Sequence, residues 1–463
     1  MTTYTSTRGG SHGRSFEDVL LRGLALDGGL FVPETWPVID LEALAGLDYP
    51  TTVARLLAPF TTGCFDATEL EAMARDAYAG FRHPATAPLV QLDHDEWLLE
   101  LFHGPTFAFK DFAMQLLGRM FEAVLARRGE RITIVGATSG DTGAAAVRAF
   151  AGLDRIRVAI LFPEGRVSPV QQRQMTTAAE ANVEIIAVQG TFDDCQNRLK
   201  DMFNDRAFRD DLRLAAVNSI NWARVVAQAG YYVYTALRLG GLARPLAFAV
   251  PTGNFGDVYA GYVAHRIGLP VARLIVATNT NDILARFLES GRYARGEVAA
   301  TMSPSMDIQV ASNFERLLFE LLDRDGAEVA RRMADFAEDG ALELDRDRLA
   351  VARRLFAGAR VDEATTARTI AEVRARTGQL VDPHTAVGIR AGRDLCPPKT
   401  PLVTLATAHP AKVPEAMIRA TGEAAPLPEP LAAMMQADER FTTLPNDLAA
   451  LQAHLRAWAG PAT

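Results

Sequence analysis

A lysine at the start of a predicted helix is the residue best suited to covalent chemistry. Lys110 lies between Phe109 and Phe112 in HGPTFAFKDF, where a short apolar run gives way to a helical pattern. Aromatic neighbours and the positive end of a helix both disfavour an ammonium group and lower its pKa. Such a lysine can form a Schiff base. Asp111 acts in the opposite direction, and a structural lysine whose charged head reaches solvent is the alternative interpretation.

Two loops rich in glycine follow predicted strands and precede predicted helices. They are GATSGDTG, residues 136–143, and PTGNFGD, residues 251–257. Backbone N–H groups at a helix N-terminus bind anions, and the second loop suits a single phosphate group. Neither a Walker A nor a GxGxxG motif is present in that second loop, so a nucleotide-binding fold is not indicated. An ordinary helix cap and an ordinary glycine turn are the alternatives.

A fourth turn, ATAHPAK at residues 406–412, also follows a predicted strand. The hydroxyl of Thr407 can donate to, or accept from, a heteroaromatic nitrogen. His409 and Lys412 are either ligands or ordinary loop residues. Ligands of open α/β sheets bind at the carboxyl ends of strands, where all of these turns occur. An aromatic-flanked lysine, two anion-binding loops and a threonine together fit pyridoxal 5'-phosphate.

Short apolar runs that alternate with helical patterns predict the elements that carry these turns. The predicted strands are Trp97–Leu101, Ile132–Val135, Val158–Phe162, Val183–Val188, Leu246–Val250, Leu274–Ala277 and Leu402–Ala406. Amphipathic helices are predicted at Phe112–Leu125, Ala144–Phe150 and Val225–Leu239, and near the N-terminus at Ser15–Leu24, Asp40–Leu47 and Thr68–Phe81. This alternation is typical of parallel sheets covered on both faces, and the number of strands favours two α/β units.

The pattern predicts three domains. Residues 1–93 form a mostly helical N-terminal domain. Residues 94–110 and 215–463 form a large α/β domain, and residues 111–214 form a small one. A largely helical insertion at about 282–376 interrupts the large domain, and its charge runs are interpreted as solvated helix faces.

Composition limits the classes of function. The 463 residues are 49% hydrophobic and 22% charged, as in a soluble globular protein. The 48 Lys and Arg against 56 Asp and Glu give a net charge of −8, which argues against a nucleic-acid partner. No apolar stretch reaches the length of a membrane span, and no signal peptide is recognised, so a cytoplasmic location is predicted. The three cysteines lack the spacing of a metal site, and no metal is expected.

The motifs HGPTFAFKDF, ATSGDTGAAA, NSINWAR, PTGNFGD and ATAHPAK, with GGLFVP near the N-terminus, resemble those of the threonine synthase family. The resemblance covers nearly the whole chain and concerns the branch with an extended N-terminal domain. It implies the fold of fold-type II pyridoxal phosphate enzymes, which are tryptophan synthase β-like. That fold is of the α/β class, with two parallel-sheet domains and, in this branch, a mostly helical N-terminal domain.

The resemblance also implies roles for individual residues. The cofactor is expected to contact Lys110, Phe109, Asp141, Gly253, Asn254, Phe255, Gly256, Asp257 and Thr407. The substrate is expected to contact Thr138, Ser139, Gly140, Thr142, Asn218, Ser219 and Arg224. Lys110 matches the Schiff-base lysine, Thr407 the hydroxyl that faces the pyridine nitrogen, and Arg224 a phosphate ligand. Asp141 replaces an asparagine of many fold-type II relatives, which leaves open whether it touches the cofactor or only caps a helix.

The implied reaction converts O-phosphohomoserine and water into threonine and phosphate, with Lys110 moving protons at Cα, Cβ and Cγ. Phosphate is eliminated from Cγ and water adds at Cβ. The nearest alternative is another pyridoxal phosphate lyase that acts on a phosphorylated amino acid. A catalytically silent binding protein is a second alternative, which the retention of Lys110 and of every cofactor loop disfavours. A monomer or a homodimer is expected.

Overall fold

The computed structural model describes residues 2–138 and 140–460. In chain order the strands are β1 Tyr4–Ser6, β2 Phe31–Pro33, β3 Leu89–Asp93, β4 Glu96–Glu100, β5 Ile132–Ala137, β6 Ile156–Pro163, β7 Val183–Gln189, β8 Leu214–Ala215, β9 Leu246–Pro251, β10 Val271–Thr278, β11 Arg292–Ala294, β12 Ala341–Glu343, β13 Phe356–Arg360, β14 Leu402–Ala406 and β15 Thr442–Pro445.

The α-helices, in the same order, are α1 Phe16–Arg22, α2 Tyr49–Leu57, α3 Ala67–Tyr78, α4 Lys110–Arg128, α5 Asp141–Phe150, α6 Pro169–Thr176, α7 Phe192–Asn204, α8 Arg206–Asp211, α9 Trp222–Arg238, α10 Gly256–Arg266, α11 Ile283–Ser290, α12 Phe314–Leu321, α13 Gly326–Asp339, α14 Arg346–Leu355, α15 Glu363–Thr377, α16 Pro383–Leu395, α17 Pro414–Thr421, α18 Glu429–Met434 and α19 Leu448–Ala459. Short 3-10 helices lie at Glu42–Leu44, Pro304–Met306 and Pro410–Lys412. No helix among the described residues is long and apolar enough to cross a membrane.

The chain divides into two compact units, and the first contains the described residues up to Phe109 together with Ser219–Ala425. Its sheet has the strand order β13-β10-β9-β14-β4-β3, parallel except for the antiparallel pair β3 and β4. Every residue of β9 and of β14 is buried. Unbroken burial of central parallel strands indicates cover on both faces, as their apolar sequences predict.

The second unit contains Lys110–Asn218 and the described residues from Pro426 onward. Its parallel sheet has the order β15-β7-β6-β5-β8. The assignment of the whole segment 215–463 to the large domain is therefore wrong at its C-terminal end. Thr442 of β15 pairs with Ile186 of β7, and Leu451 and Leu455 of α19 are buried in the core of this unit.

All seven predicted strands are present, but sequence patterns missed strands at the edges of both sheets. The insertion at 282–376 is not purely helical, because β13 pairs in parallel with β10. Its sequence, FAGAR, contains no β-branched residue and therefore carries little strand signal. Backbone pairing to an existing strand, rather than local propensity, determines this element.

The N-terminal residues are partly helical as predicted. The helix predicted at Asp40–Leu47 is only a short 3-10 turn, whereas α2 was not predicted. Pro50 argues against a helix when only the sequence is considered, although proline is tolerated in the first turn of a helix. The described residues of 1–93 belong to the first unit and are not set apart from it. Tyr49 of α2, for example, packs edge-on against Tyr234 of α9, with ring centroids 5.2 Å apart.

Candidate active site

Lys110 is the first residue of α4, and its side chain is buried. Its Nζ atom lies 3.5 Å from Oδ2 of Asp141, which begins α5. The two helices approach closely because Gly118 faces α5, where a Cβ atom would lie 2.5 Å from the carbonyl oxygen of Ala149. Close packing of α4 on α5 therefore brings together an amine and a carboxylate that are 31 positions apart in the sequence.

The loop before α5 is organised by Thr138 rather than by Asp141. The Thr138 hydroxyl oxygen accepts hydrogen bonds from the backbone N–H groups of Gly140 (3.0 Å) and Gly143 (2.9 Å). Gly140 has φ 144°, a conformation that strongly favours glycine. The carboxylate of Asp141 instead faces Lys110 and Gln171, so it is more than a helix cap. Ser139, predicted to contact substrate, lies outside the described residues.

The loops that carry Phe109 and Thr407 are joined through their backbones. Glu100 at the end of β4 lies opposite Ala406 at the end of β14, so the loops that follow the two strands begin side by side. The N–H of Phe109 then donates to the carbonyl oxygen of Thr407 at 2.8 Å. Thr407 is buried. The residue before Lys110 is thereby fixed beside the threonine that the sequence analysis singled out.

His409 and Lys412 stabilise the contact between these two loops. The sequence left open whether they are ligands or ordinary loop residues. Lys412 is buried, and its Nζ donates to the carbonyl oxygen of Thr106 at 2.8 Å. Burial lowers the pKa of His409 to about 4, and its Nδ1 accepts from the N–H of Ala411. His409 is therefore neutral at pH 7 and packs edge-on against Phe107. Both residues hold the loop in place.

The loop PTGNFGD lies at the same edge of the first sheet as Thr407. Ala249 of β9 is opposite Thr404 of β14, and both strands end two residues later. Phe255 has φ 64°, which is strained for a bulky residue and is typical of functional loops. No side chain caps α10 at this residue, so the first N–H groups of the helix are available to an anion. A Cβ atom on Gly253 would lie 2.9 Å from the carbonyl oxygen of Ser305. This cradle fits a phosphate group.

Asp257, the last residue of that loop, directs its carboxyl group to two tyrosines. Oδ1 accepts hydrogen bonds from the hydroxyls of Tyr231 (2.6 Å) and Tyr232 (2.9 Å). Burial raises the pKa of Asp257 to about 7. Because its side chain is committed to these hydroxyls, Asp257 can offer a bound anion only its backbone N–H.

The raised pKa of Asp257 predicts a pH-dependent stability that Asp257→Asn removes. The unfolded carboxyl ionises near 3.8 and the folded one near 7, so this group's stabilisation is complete below pH 3.8 and is lost as the pH rises to about 7. Asparagine retains an oxygen that accepts from both tyrosines. Between pH 4 and pH 8, the free energy of unfolding of the variant should rise relative to that of the wild type by on the order of 3 kcal/mol. Urea unfolding of both proteins across this pH range measures this difference. If the free energies of unfolding of the two proteins changed with pH in the same way, the prediction would be contradicted.

The residues predicted to bind the substrate phosphate are only partly brought together. Ser219 lies next to the PTGNFGD loop: Nδ2 of Asn313 donates to the carbonyl oxygens of Ser219 (3.0 Å) and Asn254 (3.1 Å). Arg224, in the first turn of α9, is buried, and burial lowers the pKa of its guanidinium to about 10. A bound anion would stabilise such a cation. Asn218 is exposed and is the last residue of its segment in the second unit.

Sequence reasoning missed several residues that shape these loops. Asn313 comes from the largely helical insertion predicted at about 282–376, and Arg316 of the same segment is fully buried. Arg316 donates to the side chain of Asn313 and to the carbonyl oxygens of Ile220 (2.6 Å) and Phe31 (3.0 Å). Gln171, which contacts Asp141, was also missed. Isolated polar residues in amphipathic helices give no signal in a single sequence.

Comparison with known proteins places these features in a family. Residues 3–78 match the description "Threonine synthase N terminus", residues 82–352 match "Pyridoxal-phosphate dependent enzyme", and residues 385–455 match "Threonine synthase, C-terminal". The threonine synthase of Pseudomonas aeruginosa is 51% identical over 455 residues, which are 97% of this chain and 97% of that protein. The chain belongs to the threonine synthase family.

Two solved structures agree with this membership. A pyridoxal-phosphate-bound threonine synthase from Brucella melitensis is 51% identical, with a TM-score of 0.98, and the match covers 99% of this chain and 100% of that one. The yeast threonine synthase is 37% identical, with a TM-score of 0.92 and coverage of 99% and 98%. The predicted fold class, the pyridoxal phosphate cofactor and the predicted carbon–oxygen lyase activity of a threonine synthase are thereby confirmed.

Proposed function

We propose that this chain converts O-phosphohomoserine and water into threonine and inorganic phosphate, with Lys110 as the residue that binds pyridoxal phosphate covalently. The observation that carries the proposal is the buried amine of Lys110, held 3.5 Å from a buried carboxylate at the start of a helix. When bound, pyridoxal phosphate supplies an electron-withdrawing ring that acidifies carbon–hydrogen bonds of an attached amino acid.

Lys110 moves the protons of the reaction. Its amine accepts the proton from Cα of the substrate and is the group that transfers protons at Cβ and Cγ. Asp141 stabilises the ammonium form between transfers, since an opposite charge at this distance favours the charged state.

The PTGNFGD loop and Thr407 hold the cofactor. The N–H groups of Gly253, Asn254, Phe255, Gly256 and Asp257 bind its phosphate, a role that the uncapped start of α10 supports. Thr407 presents its hydroxyl to the ring nitrogen. Phe109, which is also expected to contact the cofactor, is joined to Thr407 through its backbone.

The remaining predicted residues bind the two ends of the substrate. Thr138, Ser139, Gly140 and Thr142 form the loop for the substrate carboxylate. The Thr138 oxygen already accepts two N–H groups, which leaves its O–H free to donate to a carboxylate oxygen. Arg224, Ser219 and Asn218 bind the substrate phosphate, with Arg224 supplying the charge.

The test is an assay of purified protein with O-phosphohomoserine in which phosphate and threonine are quantified together. Equal molar amounts of both products are expected. Phosphate without threonine would overturn the proposal and support the alternative, a lyase for a phosphorylated amino acid. We further propose a cytoplasmic location and a monomeric or homodimeric state, which cell fractionation and light scattering would measure.

A further inference from the structure

The side chain of Gln171 contacts the carboxylate of Asp141 through the oxygen that does not face Lys110. Its Nε2 donates to Oδ1 of Asp141 at 2.9 Å, while Oδ2 of the same carboxylate faces Lys110. All three side chains are buried. A charge-assisted hydrogen bond in a buried site is stronger and more directional than a surface contact.

The orientation of the Gln171 amide is itself fixed. A carboxylate only accepts hydrogen bonds, so the amide atom beside Asp141 must be the nitrogen. The hydroxyl of Ser168 donates to the other amide atom, Oε1, at 3.1 Å, and also caps α6 by accepting from the N–H of Gln171. Ser168, Gln171, Asp141 and Lys110 therefore form one continuous chain of polar contacts.

Gly140 leaves the space that this amide occupies. A Cβ atom on Gly140 would lie 2.5 Å from Cδ of Gln171 and 2.7 Å from its Oε1. Only a glycine at this position allows the amide to lie over the loop and to reach Asp141. The loop that contains Gly140 and the helix α6 therefore pack closely at Gln171.

We propose that Gln171 is a positioning residue for catalysis: it orients the Asp141 carboxylate so that Oδ2 faces Lys110. The inference rests on the proposed function, in which Lys110 moves the protons. Without the amide, the carboxylate turns about its Cβ–Cγ bond and its attraction to the lysine weakens. The effect then falls on the turnover rate rather than on substrate binding.

The test compares Gln171→Met with Gln172→Met. Methionine keeps the length of the side chain but has no N–H donor. Gln172 is its neighbour on α6, and its amide donates to Glu439 instead, at 2.9 Å. We expect Gln171→Met to lower kcat about tenfold with KM little changed, and Gln172→Met to alter neither. Equal losses in the two variants would overturn the proposal, because they would indicate a general effect on α6.

A double-mutant cycle asks whether Gln171 acts through Asp141. In an Asp141→Ala background, Gln171→Met should cause no further loss of kcat, whereas independent effects would multiply. If the losses of kcat multiplied, the proposal that Gln171 acts through Asp141 would be refuted.

A second readout requires no turnover: reductive methylation of Lys110 in the cofactor-free chain, followed by peptide mass spectrometry. Gln171→Met should speed methylation about threefold or more, since a carboxylate that no longer faces Lys110 holds its amine less firmly. An unchanged rate would contradict the proposal. A wild-type protein that forms no threonine would instead refute the proposed function, while the methylation rates would still decide the role of Gln171.

Discussion

Lys110→Ala should abolish threonine formation, with kcat reduced by at least about 10³-fold. In the proposed function, the variant loses both the covalent bond to pyridoxal phosphate and the group that moves the protons. The PTGNFGD loop, which is proposed to bind the cofactor phosphate, is unchanged, so the cofactor should still bind and should dissociate completely when the protein is denatured. Visible absorbance, and filtration under denaturing conditions after reduction with borohydride, measure these two properties.

Two controls separate the amine chemistry from the loss of a charge. Lys110→Arg retains the cation beside Asp141 but cannot bond to the cofactor, so its activity should be as low as that of Lys110→Ala. Lys200→Ala removes an exposed lysine and should be fully active. Cofactor that stays covalently attached in Lys110→Ala would disprove the assignment of this residue.

Arg224→Leu should raise the KM for O-phosphohomoserine about 100-fold or more. The guanidinium is buried at the start of α9, where burial lowers its pKa to about 10, and the negative charge of a bound phosphate would stabilise it. Truncating one partner of a buried charged contact typically costs about 2–5 kcal/mol. Steady-state kinetics measure KM, and inhibition by inorganic phosphate should weaken in parallel.

The specificity of this effect can be checked on the same helix. Arg238 ends α9, and its guanidinium donates to the carbonyl oxygen of Leu47 rather than reaching a buried site. Arg238→Leu should leave KM unchanged, and the absorbance of the bound cofactor should be normal in both variants. A normal KM in Arg224→Leu, with phosphate inhibition retained, would show that the substrate phosphate binds elsewhere.

From the amino-acid sequence alone, the central strands and the loops that follow them could be predicted. Strands such as Leu246–Pro251 are buried on both faces, so their apolar runs are continuous and easily recognised. Loops that bind ligands need glycine and small polar residues at fixed positions, so PTGNFGD and GATSGDTG could be proposed as such loops before any contact was known. Lys110 was proposed as a candidate in the same way, from its aromatic neighbours and its place at a helix start.

The side chains that these loops contact could be identified only from the three-dimensional fold. The partners of Lys110 and Asp141 depend on the packing of α4 on α5 and on Gln171 of α6, none of which leaves a local pattern. The same holds for β13, whose strand character comes from pairing with β10 rather than from its own residues. Local sequence thus specifies elements and turns, because backbone propensity and burial act over a few residues. Long-range contacts specify the charge environment of Lys110, because electrostatic interactions depend on distance in space.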